Sequence, residues 1–172
     1  MKKYPLITRL LHWVTALLVI ALFFSGWYMV QLDYYHTWYH KLPELHIVTG
    51  LLLALLWLLV LSRLFLPKVK FNQNHPFLER LLSQIVKWLF YLTVSIMVIS
   101  GYLMSTASGE AFVLLNLIKI PAVSHFSAAQ IDNLGLIHEY TSYTIMLLLG
   151  FHIIGTFKHH FFDKDNTLKH ML

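Results

Sequence analysis

"LIHEYTSYTIMLLLGFHIIG", residues 136–155, is apolar enough to lie in a bilayer, yet it carries His138 and His152. About 20 such residues cross a hydrocarbon core, and an ionisable side chain inside the run marks a functional group by default. The histidines are 14 positions apart. At about 100° and 1.5 Å per residue they fall within roughly 40° of one helical face, separated by about 21 Å along the axis. One metal centre cannot bridge that distance, so each histidine needs its own partner at its own depth.

The rest of the chain supplies the setting. In 172 residues, 58% are hydrophobic and 12% charged, a balance outside the soluble range. Apolar segments at about 10–30, about 46–66, about 85–104 and about 134–157 predict an all-α, integral membrane four-helix bundle in a single domain, 1–172. Lys2 and Lys3 precede the first segment, but that segment is too long for a signal peptide and has no Ala-x-Ala cleavage pattern, so it reads as uncleaved. No internal repeat stands out. "NHPFLERLLSQIVKWLF" reads as a helix start, with Pro76 early and an amphipathic turn before the third span.

Cations accumulate on the cytoplasmic side of short loops. Lys2, Lys3 and Arg9 precede the first span; Arg63, Lys68, Lys70, Arg80 and Lys87 lie at or between the second and third; Lys158, Lys164 and Lys169 follow the fourth. Both termini are therefore expected to be cytoplasmic, with loops 31–45 and 105–133 outside. This topology and anionic lipid account for the formal charge of +5 without a nucleic-acid partner.

Partners at matching depths are present. His12, in "TRLLHWVTALL", lies about one turn into the first span, and His46, in "PELHIVTGLLL", just inside the second. The first helix rises while the fourth descends, so His12 pairs with His152 on the inner side and His46 with His138 on the outer. A lone intramembrane histidine is often a hydrogen-bonding or proton-relay residue. Four at two matched depths point instead to axial ligation of two iron centres. The absence of cysteine excludes thiolate clusters and covalent haem attachment, leaving two non-covalent haems. Gly50 and Gly155 share the faces of His46 and His152, where a porphyrin needs small residues; helix packing is their other reading.

The remaining histidines, His36, His40, His75, His125, His159, His160 and His170, fall in loops, interfaces or tail and read mostly as surface residues. Adjacent His159 and His160 point apart and cannot clamp one ion together. Trp13, Trp27, Tyr28, Tyr34, Tyr35, Trp38, Tyr39 and Trp88 suit an interfacial belt, although Trp13 is equally placed to border an inner haem. Arg9, Arg63 and Lys158 inside, and Lys41 outside, stand where haem propionates need cations, or where snorkelling anchors belong. Glu139 is an interfacial carboxylate at the start of the fourth helix, with proton delivery as its functional alternative.

These words, "LLHW" at His12, "LHIVTG" at His46 with Arg63 closing the helix, "HEYTSY" at His138, "GFH" at His152 and the tail "HHFFDKDNTLKHML", resemble the bacterial cytochrome b561 family across nearly the whole chain. The resemblance implies two haem b groups held by His12, His46, His138 and His152 in the bacterial cytoplasmic (inner) membrane. It also implies oxidation of superoxide, or another small electron donor, at the outer face with ubiquinone as acceptor. A cytochrome b relay subunit anchoring a dehydrogenase or hydrogenase, with a redox partner protein, is the alternative. A haem-free histidine-lined transporter is disfavoured, because no broken-helix pair or repeated half is present.

Overall fold

In lipid, every backbone polar group must be satisfied internally, which leaves helices as the economical way to cross. The computed structural model describes residues 3–66, 76–114 and 118–172, and four of its helices are long and apolar enough to span a membrane. Lys2, Lys68, Lys70 and His75, named above for their charge or surface position, lie outside the described residues. The helices are α1 (Leu6–Met29), α2 (Lys41–Ser62), α3 (Phe77–Ser105) and α4 (Ala128–Phe157). A 3₁₀ turn, Arg63–Phe65, extends α2, a π turn, Lys158–Phe162, extends α4, and a short α5 (Thr167–Met171) ends the tail.

All four spanning helices start before their apolar segments do. Hydropathy locates the part in hydrocarbon, whereas backbone hydrogen bonding continues through the polar interface. Thus α2 starts at Lys41 with Glu44 in its first turn, and α3 starts at Phe77 with Pro76 at its N-cap. The start of α4 at Ala128 is fixed by a capping box, in which Ser127 and Gln130 each satisfy the other's backbone N–H. Segment 105–133 is correspondingly shorter as a loop. It holds an antiparallel pair, β1 (Phe112–Leu114) and β2 (Ile118–Ile120), with Phe112 opposite Ile120. Tyr102 Oη donates to the Pro121 carbonyl at 2.6 Å, pinning this connection to the end of α3.

Packing is pairwise, α1 on α2 and α3 on α4, with α2 against α3 joining the hairpins. Trp57, Val94 and Ile145 form the buried core, and Trp57 Nε1 donates to Ser95 Oγ at 3.0 Å. Leucines such as Leu17, Leu55 and Leu58 stand exposed on the outer faces, as lipid-facing residues do. The termini meet at one end of the bundle. Tyr4 N donates to the His170 carbonyl at 3.0 Å, Trp13 Nε1 to that of Met171 at 3.1 Å, and the Arg9 guanidinium to that of Leu172. His170, expected on the surface, is buried by this closure. The opposite end, carrying the 30–40 and 106–127 connections, is called the hairpin end below.

Candidate functional site: two histidine pairs

The structure brings the four intramembrane histidines together as two pairs. Near the hairpin end, the His46 ring from α2 and the His138 ring from α4 have centroids 6.4 Å apart, with planes inclined by 70°. Near the terminal end, His12 from α1 and His152 from α4 are 6.1 Å apart, inclined by 60°. The two separations leave room for one metal atom each. An imidazole–metal bond of about 2.0 Å on either side, plus about 1.1 Å from nitrogen to ring centre, sums to about 6.2 Å.

The hairpin-end pair sits in a cavity of about 1030 Å³ whose wall includes Gly26, Gly50, Gly101, Tyr102 and Glu139. That is the upper end of the range for cofactor pockets, roughly 300–1,000 Å³. Gly50 meets no protein atom within 4 Å, so α2 offers bare backbone to the cavity. The donor set, the ring spacing and this flat glycine wall together fit a porphyrin.

Gly26 and Gly101, which the helical spacing of the histidines did not single out, lie closer still. A Cβ on Gly26 would stand 3.2 Å from Cε1 of His46, and one on Gly101 3.2 Å from Cε1 of His138. Each glycine follows a serine that holds the same ring: Ser25 Oγ is 2.9 Å from His46 Nδ1, and Ser100 Oγ 2.9 Å from His138 Nδ1. A signal was present in the sequence. "SGWYM" at 25–29 and "SGYLM" at 100–104 are the same Ser-Gly-aromatic word in α1 and α3.

The terminal-end pair has different company. His12 is half-buried, while His152 is exposed along the bundle surface. Trp13 stands edge-on to His12 at 5.4 Å, and Phe90 edge-on to His152 at 6.0 Å. Trp13 thus borders this pair and also carries the tail through its indole N–H. Gly155, like Gly50, meets no protein atom within 4 Å.

The cations considered for propionates have protein partners at the terminal end. Arg9 engages the Leu172 carbonyl, Arg63 donates to Thr8 Oγ1 at 2.7 Å, and Lys158 bridges Glu79 and Asp163. His159 Nδ1 lies 2.9 Å from Asp163 and 3.0 Å from Asp165, so it joins this ion network without His160. The Lys158 ammonium fills the space between the two carboxylates. Lys41 and His40 are exposed at the hairpin end, and His125 Nδ1 is bonded to the Ser108 carbonyl at 2.9 Å.

Glu139 departs from the reading as a first-turn carboxylate. Because α4 starts at Ala128, Glu139 lies about three turns in, beyond the reach of the helix dipole. Its carboxylate lines the cavity beside His138 and receives a long contact, 3.4 Å, from Tyr143 Oη.

A family model described as prokaryotic cytochrome b561 matches residues 3–172. Cytochrome b561 homolog 2 of Escherichia coli (strain K12) is 37% identical over 172 residues, covering 99% of this chain and 92% of that protein.

Proposed function

The chain belongs to the prokaryotic cytochrome b561 family, and is a multi-pass bacterial membrane b-type cytochrome of electron transfer; from that premise we propose that it holds two haem b groups, carries electrons between them, and oxidises superoxide with ubiquinone as acceptor. His46 and His138 hold one haem, His12 and His152 the other. The observation that carries this reading is the pair of ring separations, 6.4 and 6.1 Å, at the two ends of one bundle.

Each haem would supply a one-electron couple, and with two histidines to hold each one the chemistry would be electron transfer at the outer edge rather than oxygen binding. The chain's own residues do the rest. Leucine and phenylalanine faces exclude water, and α4 fixes the spacing of the two layers at about 21 Å by helical rise. The balanced reaction takes one electron from each of two superoxide anions, releasing two dioxygen molecules, and adds two electrons and two protons to a quinone. Glu139, which shares the cavity wall with Asp132, is on this reading the carboxylate that hands on a proton. Lys41, exposed at the hairpin end, offers a local positive charge to draw an anion.

Orientation follows the same premise. Arg9, Arg63, Lys158 and Lys169 share the terminal end, so that end faces the cytoplasm and the hairpin end faces outward across the inner membrane.

Reduced-minus-oxidised spectra with haem quantification test the ligand set. His46→Ala or His138→Ala should each remove the hairpin-end haem and leave the other; His12→Ala or His152→Ala should do the reverse. Retention of full haem in all four variants refutes the assignment. Stopped-flow mixing with superoxide and a soluble quinone analogue tests the substrates, and an unchanged haem redox state on mixing refutes superoxide as donor.

A further inference from the structure

A serine hydroxyl has one proton, and at both Ser25 and Ser100 a backbone carbonyl stands within reach of it. Ser25 Oγ donates to the Leu22 carbonyl at 3.0 Å, and Ser100 Oγ to the Met97 carbonyl at 3.2 Å. Each oxygen also lies 2.9 Å from a ring nitrogen, Nδ1 of His46 and Nδ1 of His138. When the hydroxyl proton goes to the helix carbonyl, only a lone pair faces the ring, and Nδ1 then carries the hydrogen, the assignment we infer for both rings. Both rings are thereby held as the Nδ1–H tautomer. Nε2 is left with the free electron pair that a metal needs.

We propose that the two Ser-Gly pairs, Ser25-Gly26 and Ser100-Gly101, are positioning elements that seat His46 and His138 in one tautomer and one ring orientation for a shared iron. The glycine admits the ring edge, because a Cβ there would stand 3.2 Å from Cε1. The serine then fixes its proton. Each seat is built by the neighbouring helix of the same hairpin: α1 seats the histidine of α2, and α3 seats the histidine of α4. Among the described residues no hydroxyl hydrogen-bonds the ring of His12 or His152, whose ring neighbours are aromatic; Thr156 Oγ1 bonds only the His152 carbonyl, at 2.8 Å. The seats therefore distinguish the hairpin-end pair from the terminal-end pair. Hydrogen bonding to the distal nitrogen of a metal-bound imidazole fixes its orientation and raises its basicity, so the seats also tune one centre and leave the other.

The inference rests on His46 and His138 being haem ligands, but its first readout needs no haem. Haem-free protein in detergent, labelled with ¹⁵N-histidine, reports each ring's tautomer by NMR. Wild type should show His46 and His138 as Nδ1–H. Ser25→Ala should lower the Nδ1–H to Nε2–H ratio of His46 roughly three- to tenfold, the worth of one hydrogen bond, without moving His138. Ser100→Ala should do the same to His138 without moving His46. Ser25→Thr, which keeps the hydroxyl, should restore the wild-type ratio. In loaded protein, both alanine variants should lower the affinity of the hairpin-end haem alone by about ten- to a hundredfold, read as transfer to a haem-scavenging apoprotein. Nε2–H rings in the wild type overturn the inference without any variant, as does a His46 ratio that Ser25→Ala leaves unmoved. The predicted tautomers with haem affinity unaffected at both ends would uphold the proton assignment, overturn the seating role, and count against His46 and His138 as ligands.

Discussion

Alanine at Gly101 makes a sharp physical test of the hairpin-end site. The new Cβ would stand 3.2 Å from Cε1 of His138, where carbon atoms prefer about 3.5–4.0 Å. The ring must yield by a few tenths of an ångström, and it is held at the adjacent ring atom, Nδ1, by a 2.9 Å bond to Ser100. Overpacking of this kind costs about 1–3 kcal/mol, and loss of the serine bond adds about 1 kcal/mol. The helix gains back about 0.5–1 kcal/mol when glycine becomes alanine. A net loss of about 1–3 kcal/mol is expected in haem-free protein, measured by thermal melting in detergent. Gly50→Ala provides the contrast. No protein atom lies within 4 Å of its Cβ, so the haem-free protein should be unchanged or slightly stabilised. The same Cβ projects into the 1030 Å³ cavity, where a porphyrin lying on α2 would meet it, so haem per polypeptide should fall. Equal melting temperatures for Gly101→Ala and Gly50→Ala would refute the packing argument. Full haem in Gly50→Ala would refute the placement of the macrocycle against α2.

Trp57→Ala should cost about 3–5 kcal/mol, since Trp57 is only 6% exposed and anchors the core between α2, α3 and α4; a melting shift equivalent to less than 1 kcal/mol would contradict its central place. Trp13→Phe removes the 3.1 Å bond to Met171 at a cost of about 1 kcal/mol. It should quicken protease cleavage after Lys164 and Lys169 while leaving the hairpin-end haem untouched. Ser127→Ala breaks the capping box at a cost of about 1 kcal/mol, seen as faster amide exchange in the first turn of α4 without change at His138.

The number of spanning helices was legible in the sequence because hydropathy reports directly on what a bilayer accepts, whereas the β1–β2 pair and α5 lie outside the apolar segments and were not. Helix starts were legible only where polar signals were weighed beside it. Ser127 and Gln130 spell a capping box that places α4 six residues ahead of its apolar segment, and missing it put Glu139 in a first turn it does not occupy. The histidine pairs followed from depth alone: alternating helix direction matches residues near the start of one helix with those near the end of another. Gly26 and Gly101 were not found that way. They lie on different helices from the histidines they touch, and periodicity along one helix says nothing about what its neighbour presents. The repeated Ser-Gly-aromatic word was their trace. His170 was misplaced for a related reason, since its burial comes from a tail folding back on α1.

The distribution of the four histidines bears on assembly as well as electron transfer. Each helical hairpin gives one histidine to each pair: α1–α2 gives His12 and His46, and α3–α4 gives His152 and His138. Inside a hairpin, the direct chain connection and the serine–histidine contacts already hold the helices together. Between hairpins, lipid tails are as apolar as the side chains, so burial gives little drive for association. What joins the halves within the span is the Trp57 cluster and, on the proposed reading, an iron in each layer bonded to both. Ligand that binds only the joined state stabilises it in proportion to the logarithm of its concentration over its dissociation constant. On that reading, the arrangement that sets two redox centres at two depths also makes the pairing of the hairpins depend on the cofactor they share.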